Sequence, residues 1–260
     1  MQENDDLALL VTAAHAAGEI ARRHFGEGPS SWEKTAGQGP VSEADLEIDA
    51  MLRALLTEAR PEYGWLSEES VDDPARLHCK RIFIVDPIDG TRAFLAGQTG
   101  FSHALAIVEH GKPIAAVVHL PMMGLTYEAA KGRGAYLGDQ RLKMTDNATP
   151  SGARVLATRP QMAPDYWPGG VPAIDRHFRP SLAWRLALVA EGKFDGMVNL
   201  RPTWHWDIAA GVLLVEEAGG VVTTGAGDDV LFNTPKPASD GVIAAGPGLH
   251  MGLLHHRLGA

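Results

Sequence analysis

The sequence predicts a mixed α/β protein with two lobes, an N-terminal α+β lobe over residues 1–150 and a C-terminal α/β lobe over residues 151–260. Three observations support this prediction. The chain has 260 residues, which is long for one compact unit. Short segments rich in β-branched residues dominate its middle part. Strand patterns then alternate with helix patterns after residue 150, as in α/β proteins.

Two helices are predicted before the first strands of the sheet. Apolar residues such as Leu10 and Ala14 recur at helical spacing within residues 5–23 and form one stripe. The second helix begins after the cap residue Ser42 and ends before Pro61. A long polar loop rich in Gly, Pro and Ser joins the two helices.

The remaining elements follow from strand patterns and turn residues. Strand character is found at residues 63–66, 81–85, 102–110, 113–120 and 124–130. Their close succession predicts an antiparallel sheet in the first lobe. In the second lobe, strands at 155–158, 194–199 and 241–246 alternate with helices at 181–192 and 206–220.

Composition and charge exclude several classes of protein. Apolar residues make up 45% and charged residues 21%, which excludes disordered, collagen-like and disulfide-scaffold proteins. The net charge of -9 argues against binding to nucleic-acid backbones. No apolar run is long enough to cross a membrane, and the acidic N-terminus is unlike a signal peptide. The single Cys79 allows no internal disulfide, so we expect a cytoplasmic protein with a buried or inert thiol.

The segment from Val85 to Thr91 carries the sharpest pattern, because a hydrophobic strand ends there in two carboxylates, Asp86 and Asp89. A simple turn is one interpretation, since Asp-Pro and Asp-Gly are strong turn dipeptides. The other is a site in which Gly90 and Thr91 open a short helix whose free N–H groups bind a phosphate. Carboxylates and a phosphate would share such a site only with metal ions between them.

Three further carboxylates each allow a structural and a functional interpretation. Glu68 follows a strand and could lie in a solvated loop. Asp45 has the spacing from Ser42 of a capping box, and both roles could hold at once. Asp207 heads an apolar helix, where the helix dipole alone favours an acid. Among their neighbours, we expect Trp204 and Trp206 to pack in the core and His205 to be a satisfied structural histidine.

Together these segments resemble the inositol monophosphatase superfamily of magnesium-dependent phosphomonoesterases. The segments that carry the resemblance are IFIVDPIDGTRAF and WDIAAGVLLVEEAGG, supported by PVSEAD and LSEES. It covers the chain from about Lys34 to Gly246. Ser42 and Ser67 depart from the usual threonine and glycine, and we expect them to change loop geometry only. The resemblance implies a layered α-β-α-β-α sandwich of the inositol monophosphatase/fructose-1,6-bisphosphatase type, with the site between the lobes.

The resemblance also implies a set of metal ligands. Glu68, Asp86 and the backbone carbonyl of Ile88 would hold one Mg2+, and Asp86, Asp89 and Asp207 would hold a second. These donors are all oxygens, which suits a hard cation. The resemblance further implies two or three ions in each site, Mn2+ as a substitute and inhibition by Li+. Crowded carboxylates should have raised pKa values unless cations compensate for their charge.

The implied mechanism uses a metal-activated water and no covalent phosphoenzyme. Thr91, with Asp45 behind it, would orient the attacking water and accept its proton. Glu68 would belong to the catalytic set as the acid on the adjoining strand end. Gly90 and Thr91 would contact the phosphate of the substrate.

The substrate is expected to be a small phosphorylated metabolite. Several segments resemble bacterial 3'(2'),5'-bisphosphate nucleotidases, which act on adenosine 3',5'-bisphosphate. Inositol enzymes carry a glutamate where this chain has Leu200, and the neighbouring Arg201 could bind a second phosphate. The alternatives are inositol-1-phosphate or histidinol-phosphate hydrolysis, or a regulatory role on RNA polymerase. The oligomeric state stays open, with a homodimer as one candidate.

Overall fold

Two long helices form the first layer of the fold. The computed structural model describes residues 2–26, 28–34 and 39–259, and in it α1 covers Gln2–His24 and α2 covers Glu43–Ala59. Their apolar faces share one core, because side chains such as Leu10 and Leu52 are fully buried there. Ser42 caps α2 through the predicted capping box. Both predicted helices are therefore confirmed.

The segment between the helices contains a small hairpin that the sequence did not indicate. Strand β1 (Ser31–Glu33) pairs antiparallel with β2 (Pro40–Ser42). Strands of three residues are too short to show a repeating apolar pattern, which explains why only a loop was predicted. Residues 27 and 35–38 of this predicted loop lie outside the described residues.

A seven-stranded sheet forms the second layer. Its strands are β3 Gly64–Ser67, β4 Arg81–Asp89, β5 Ser102–Glu109, β6 Lys112–Leu120, β7 Leu125–Ala130, β8 Gly134–Leu137 and β9 Gln140–Arg141, arranged in chain order. The predicted antiparallel pairing holds from β4 to β9, but β3 runs parallel to β4. The reason is the connection through residues 68–80, which returns the chain to the end of the sheet where β3 began.

A five-stranded sheet forms the fourth layer. Its strands are β10 Arg154–Leu156, β11 Asp175–His177, β12 Gly196–Trp204, β13 Val221–Thr223 and β14 Ala238–Ala245, in the order β11-β10-β12-β14-β13. Strand β10 is parallel to both its neighbours, whereas β14 is antiparallel to both of its own. The three predicted strands are confirmed. Strand β12 extends to Trp204, beyond its predicted end.

The other helices complete the layers. They are α3 Thr91–Leu95, α4 Leu182–Ala190, α5 His205–Glu217 and α6 Pro247–Leu258. Buried side chains of α4 and α5 share a core with one face of each sheet, while α6 packs on the outer face of the five-stranded sheet. This confirms the α-β-α-β-α sandwich. Within the described parts of the chain, no helix has both the length and the apolar character needed to cross a membrane.

Strand alternation explains why both faces of the large sheet are apolar. In β4, Ile82 and Ile84 face the core formed with α4 and α5, while Phe83 and Val85 face α1 and α2. The sheet is thus buried on both sides and holds the end of β4 rigidly. The chain passes from one sheet to the other near residue 150. The division into folding units 1–150 and 151–260 stays a prediction, since α4 and α5 contact both sheets.

Candidate active site

A bulge at the end of β4 brings two carboxylates to the same side of the sheet. Asp86 pairs with Ala104 of β5, and Asp89 pairs with Ser102, so three steps on β4 oppose two on β5. In a regular strand, residues three apart point to opposite faces. The extra residue of the bulge removes that difference. Asp86 and Asp89 are therefore both buried beside one cavity.

Asp207, in the first turn of α5, completes a group that we call the carboxylate cluster: Asp86, Asp89 and Asp207. One oxygen from each of the three lies within 4.8 Å of the others. The cluster lines a cavity of about 520 Å³ whose wall contains residues from both halves of the chain. Glu68, Ile88, Gly90 and Thr91 line the same cavity. The structure thus brings most of the predicted site residues together.

The electrostatics of the carboxylate cluster fit a cation. Burial raises the pKa values of Asp86 and Asp207 well above the usual range, and the neighbouring acids raise them further. Burial also raises the pKa of Asp89. The Oδ1 atom of Asp86 is buried and has no hydrogen-bond partner among the described residues. A hard divalent cation would satisfy this oxygen and offset the crowded charge, so the donor set fits Mg2+.

Asp89 is held in place by the N-terminal end of helix α4. Its Oδ2 atom accepts hydrogen bonds from the Ser181 hydroxyl (2.5 Å) and from the Ala183 N–H (2.6 Å) at the start of α4. One Asp89 oxygen is therefore fixed by α4, and the carboxylate is oriented before any ion binds. Sequence analysis missed Ser181 as a site residue, because its distance from Asp89 along the chain leaves no local pattern.

Glu68 lines the cavity but is paired with a lysine. Its Oε1 atom accepts a hydrogen bond from Lys34 Nζ at 2.7 Å, and Glu69 Oε1 accepts another at 2.6 Å. We call Glu68 and Glu69 the lysine-paired acids, because Lys34 donates a hydrogen bond to each of them. Burial raises the pKa of Glu69 to about 7, although the hydrogen bond from Lys34 opposes this change. Glu68 is not one of the three carboxylates that lie within ligand distance of one another.

Thr91 and Asp45 lie beside each other, and their roles in proton transfer stay a prediction. The Thr91 hydroxyl lies 3.4 Å from Asp45 Oδ1 and 3.1 Å from the Ile88 carbonyl oxygen. The other carboxylate oxygen of Asp45 accepts hydrogen bonds from the Ser42 N–H (2.9 Å) and hydroxyl (2.6 Å). Asp45 therefore caps α2 and reaches Thr91 at once. Burial raises its pKa to about 6, which leaves it mostly ionised at neutral pH.

Gly90 turns the chain from β4 into α3. Its φ of 98° lies in the left-handed region, which strains any residue with a side chain. An added Cβ would make only ordinary contact with the backbone of Phe101, at 3.6 Å, so the φ angle rather than lack of space favours glycine here. The glycine thus allows the carboxylates and Thr91 to face the same cavity. Contact of Gly90 and Thr91 with a phosphate stays a prediction.

Several residues lie elsewhere than predicted. Arg201 is exposed on β12 and does not line the cavity, because β12 continues past it and is bulged between Asn199 and Pro202. His205 is buried, but neither ring nitrogen has a hydrogen-bond partner in the described part of the chain, so it is not a satisfied histidine. Trp204 is 39% exposed and stacks on Trp206, so it is not a core residue.

The one cysteine agrees only in part with expectation. Cys79 is half-buried rather than buried, and it packs against the core between the two sheets. It follows a short 3₁₀ turn and does not line the cavity. Its inertness stays a prediction.

Sequence analysis missed several side chains on the cavity wall, among them Arg92, Phe178 and Arg185. Arg92 follows Thr91 in α3 and is exposed. Arg185 is buried on α4, and Phe178 precedes that helix. In the sequence, a basic residue in an apolar helix cannot be told from an ordinary partly buried side chain, so the position of Arg185 could not be predicted. The charged groups of the wall outside the acids are therefore two guanidinium groups.

Comparison with known proteins decides the family. The sequence profile of the inositol monophosphatase family matches residues 3–259. The chain belongs to the inositol monophosphatase family. Members of this family are phosphatases, and the family is metal-dependent. The family resemblance found in the sequence is thus confirmed, and the carboxylate cluster is a candidate metal site of an inositol monophosphatase family protein.

Relatives of this family member have several different names. An inositol-1-monophosphatase from Rhizobium meliloti is 35% identical over 251 residues, covering 92% of this chain and 91% of its own. A 3'(2'),5'-bisphosphate nucleotidase CysQ from Aggregatibacter actinomycetemcomitans is 33% identical, covering 82% of each chain. A putative Nus factor SuhB from Neisseria meningitidis is 31% identical, covering 94% of each chain. The family is therefore shown, and the substrate is not.

A solved structure agrees with the fold. The IMPase of Thermotoga maritima has a TM-score of 0.85 and 27% sequence identity, and the match covers 98% of this chain and 97% of that chain. The layered sandwich is therefore that of the inositol monophosphatase family.

Proposed function

We propose that the protein is a Mg2+-dependent phosphomonoesterase that uses an activated water to hydrolyse a small phosphorylated metabolite. The observation that carries this proposal is the carboxylate cluster, whose oxygens lie within 4.8 Å of one another. Asp86 Oδ1 is buried there without a partner. A buried carboxylate oxygen with nothing to neutralise it costs free energy, which a bound hard cation would remove.

The same residues define the proposed ligands. Asp86, Asp89 and Asp207 would hold one ion, and Glu68, Asp86 and the Ile88 carbonyl would hold another. When bound, the ions supply Lewis acidity, which makes water a better nucleophile and neutralises charge on the phosphate. Mn2+ would substitute for Mg2+, since both take oxygen ligands. Ser181 and Ala183 orient Asp89 by donating hydrogen bonds to it, and these bonds oppose the rise in its pKa that burial causes.

Thr91 and Asp45 would supply the proton transfer. The 3.4 Å separation of their oxygens allows the Thr91 hydroxyl to donate to Asp45 while its lone pair accepts a hydrogen bond from water. Asp45 has a pKa of about 6 because of its burial, which suits a general base at neutral pH. The proton of the water would pass to Thr91 as the Thr91 proton passes to Asp45.

The cavity wall favours a substrate with a second anionic group. Beyond the acids, its charged side chains are Arg92 and Arg185. Leu200, at the position where inositol enzymes carry glutamate, belongs to the core beside α6. Guanidinium groups bind phosphate through charge-assisted hydrogen bonds. We therefore propose the 3'-phosphate of adenosine 3',5'-bisphosphate as the group hydrolysed, in keeping with the CysQ relative.

Two other functions have support from relatives. Inositol-1-phosphate hydrolysis is favoured by the 35% identity to an inositol-1-monophosphatase. A regulatory role in transcription is favoured by the relative named as a putative Nus factor. Among the described residues of the cavity wall, every acid is a proposed metal ligand, which argues against binding of inositol hydroxyl groups.

The deciding experiment is a turnover panel. Phosphate release is measured from adenosine 3',5'-bisphosphate, inositol 1-phosphate, histidinol phosphate and fructose 1,6-bisphosphate, with Mg2+ and with excess chelator. We expect activity only with Mg2+ and the highest kcat/KM on the nucleotide. Inhibition by millimolar Li+ is also expected. Equal activity in chelator would contradict the metal proposal, and a preference for inositol 1-phosphate would contradict the proposed substrate.

Two arginines give competing predictions for the second phosphate. The sequence favoured Arg201, whereas the cavity favours Arg185. We expect Arg185→Lys to raise KM for adenosine 3',5'-bisphosphate about tenfold or more, because it removes a fork of donors. Arg201→Ala should leave KM unchanged. The reverse outcome would restore Arg201 as the selecting residue.

Assembly and location complete the proposal. The single cysteine, which allows no internal disulfide, favours a cytoplasmic protein. A homodimer is one candidate for its assembly, which light scattering at two protein concentrations would test.

A further inference from the structure

One wall of the cavity carries an exposed aromatic ring. Phe178 is 46% exposed, although most phenylalanine side chains of the described chain are buried. Its ring lines the same cavity as the carboxylate cluster. Exposed apolar surface of this kind is unfavourable in water, and within a ligand cavity it marks a contact for an apolar part of the ligand.

The ring of Phe178 is held by Arg185. The guanidinium carbon of Arg185 lies 4.6 Å from the centre of the ring, which is a cation–π contact. Arg185 also donates hydrogen bonds to the carbonyl oxygens of Arg179 (2.5 Å) and Pro180 (3.2 Å). These bonds fix the segment that follows Phe178. The ring is therefore an ordered surface with one face on a cation and the remainder exposed.

We infer that Phe178 and Arg185 form a subsite for the nucleobase and second phosphate of a nucleotide substrate. This inference rests on the proposed function and names the class of substrate more narrowly. The base would stack on the exposed part of the Phe178 ring, and the Arg185 guanidinium would pair with the phosphate that is not hydrolysed. No bond is formed or broken at this subsite.

The size and chemistry of the cavity agree with a nucleotide. Its volume of about 520 Å³ is in the range of cavities that hold small-molecule ligands. The carboxylate cluster, a buried guanidinium and an exposed ring supply partners for a metal-bound phosphate, a second anion and an aromatic base. A sugar phosphate without a base would leave the ring in contact with water. The combination therefore favours a nucleotide over an inositol phosphate.

The test compares two substrates that differ only in the base. Adenosine 3',5'-bisphosphate is compared with methyl riboside 3,5-bisphosphate, which retains both phosphates and the sugar. Each is assayed with the wild-type protein, Phe178→Leu and Phe178→Trp in saturating Mg2+. The matched control is Tyr136→Leu, because Tyr136 is a partly exposed ring on β8 that does not line the cavity.

We expect Phe178→Leu to lower kcat/KM on the nucleotide by about five- to 150-fold, the effect of a stacking energy of ~1–3 kcal/mol. The same variant should change kcat/KM on the methyl riboside less than about twofold. Phe178→Trp should retain the preference for the nucleotide, since any aromatic face can stack. Tyr136→Leu should behave like the wild type on both substrates.

The outcomes separate the two proposals. Equal loss on both substrates in Phe178→Leu, with a normal melting temperature, would overturn the nucleobase subsite. Equal kcat/KM for the two substrates in the wild type would overturn it as well, even if both are hydrolysed. A wild-type protein without Mg2+-dependent phosphate release from either compound would instead overturn the proposed function.

Discussion

Two groups of acids have members that line the same cavity, and they differ in how their negative charge is compensated. The lysine-paired acids are neutralised by the protein itself, since Lys34 Nζ lies 2.7 Å from Glu68 and 2.6 Å from Glu69. The carboxylate cluster has no lysine within salt-bridge distance in the described part of the chain. Asp89 accepts hydrogen bonds from neutral donors, Ser181 and Ala183, and the charge of Arg185 lowers its pKa without forming an ion pair with it.

This difference shows which acids the fold leaves for a cation. Burial lowers the pKa of Lys34, but its ion pairs outweigh that effect and the pKa is raised, so the lysine stays charged. Burial and mutual repulsion both raise the pKa of Asp86, and no internal cation offsets them. An acid that is paired with a lysine can stay ionised in the folded protein without a bound metal ion. A buried acid without such a lysine is ionised at a cost in free energy, which either a proton or a bound cation would remove.

The largest effect is expected from removing one charge of the carboxylate cluster. Asp89→Asn keeps an oxygen that can accept hydrogen bonds from Ser181 and Ala183, so the fold should persist. The variant loses a metal-ligand charge worth several kcal/mol, and kcat/KM should fall by at least about a thousandfold. Phosphate release in Mg2+ and circular dichroism are measured together. A folded variant with full activity would show that Asp89 is not a ligand.

The next effect is expected at the contact between Thr91 and Asp45. Thr91→Ala removes the hydroxyl that lies 3.4 Å from Asp45 Oδ1 and leaves every proposed ligand in place. Turnover should fall by about 100-fold or more, the usual contribution of a general-base relay. The Mg2+ concentration for half-maximal activity should stay constant. If turnover were unchanged, Thr91 would serve only to begin α3.

The pH profile follows from the pKa of Asp45. Burial raises that pKa to about 6, and the charge of Glu68 raises it further while that of Lys34 lowers it. The base must be ionised to accept a proton, so kcat/KM should fall about tenfold for each pH unit below about 6. Asp45→Asn should have a lower and flat profile over the same range. A wild-type profile with no decrease down to pH 5 would remove Asp45 from the proton path.

The sequence anticipated the parts of the site that depend on short segments. The capping box of Ser42 and Asp45, and the turn from Asp89 to Thr91, follow from local spacing, and the structure contains both. The bulge in β4 was not foreseen, although it decides the direction of Asp86. Local spacing fixes turns and caps, because both depend on neighbouring backbone groups.

Contacts between segments that are distant in the chain could not be predicted from local spacing. Lys34, just after β1, reaches Glu68, just after β3, and Ser181 reaches Asp89 from the second half of the chain. Neither contact leaves a repeating pattern in the sequence. Arg201 shows the opposite error: its short separation from Asp207 suggested proximity to the site, but the extended β12 strand leaves it exposed outside the cavity.

Replacing Asp86 by Asn should lower activity but raise the stability of the metal-free protein at high pH. A raised pKa means that the folded carboxyl holds its proton to higher pH than the unfolded one. Metal-free wild type should therefore lose stability as pH rises above about 4, the unfolded value, until it passes the folded pKa. Asp86→Asn has no charge to bury and should melt higher than the wild type at pH 8 without metal. That advantage should disappear below about pH 4.

Mg2+ gives the matching control for this prediction. At 100 times its Kd, the ion should stabilise the wild type by about 2.7 kcal/mol and should have little effect on Asp86→Asn. Melting temperatures are recorded with chelator and with Mg2+ at pH 4 and pH 8. A metal-free variant that melts below the wild type at pH 8 would contradict the view that the cluster is strained without an ion.

The smallest effect is expected in Mg2+ affinity when the lysine-paired acids lose their lysine, as in the carboxylate cluster. Lys34→Gln removes the cation that holds Glu68 and Glu69, and frees the Glu68 carboxylate beside the cavity. Unit charges roughly 10 Å apart interact by about 1–2 kcal/mol at an effective dielectric constant of about 20. The apparent Kd for Mg2+ should therefore fall by about five- to thirtyfold.

The matched control is Lys143→Gln, which changes an exposed lysine outside the cavity whose partner Asp146 is also exposed. Titration calorimetry with Mg2+ measures both variants. Weaker binding in Lys34→Gln, with no change in Lys143→Gln, would mean that Lys34 orients Glu68 for the ion rather than competing with it.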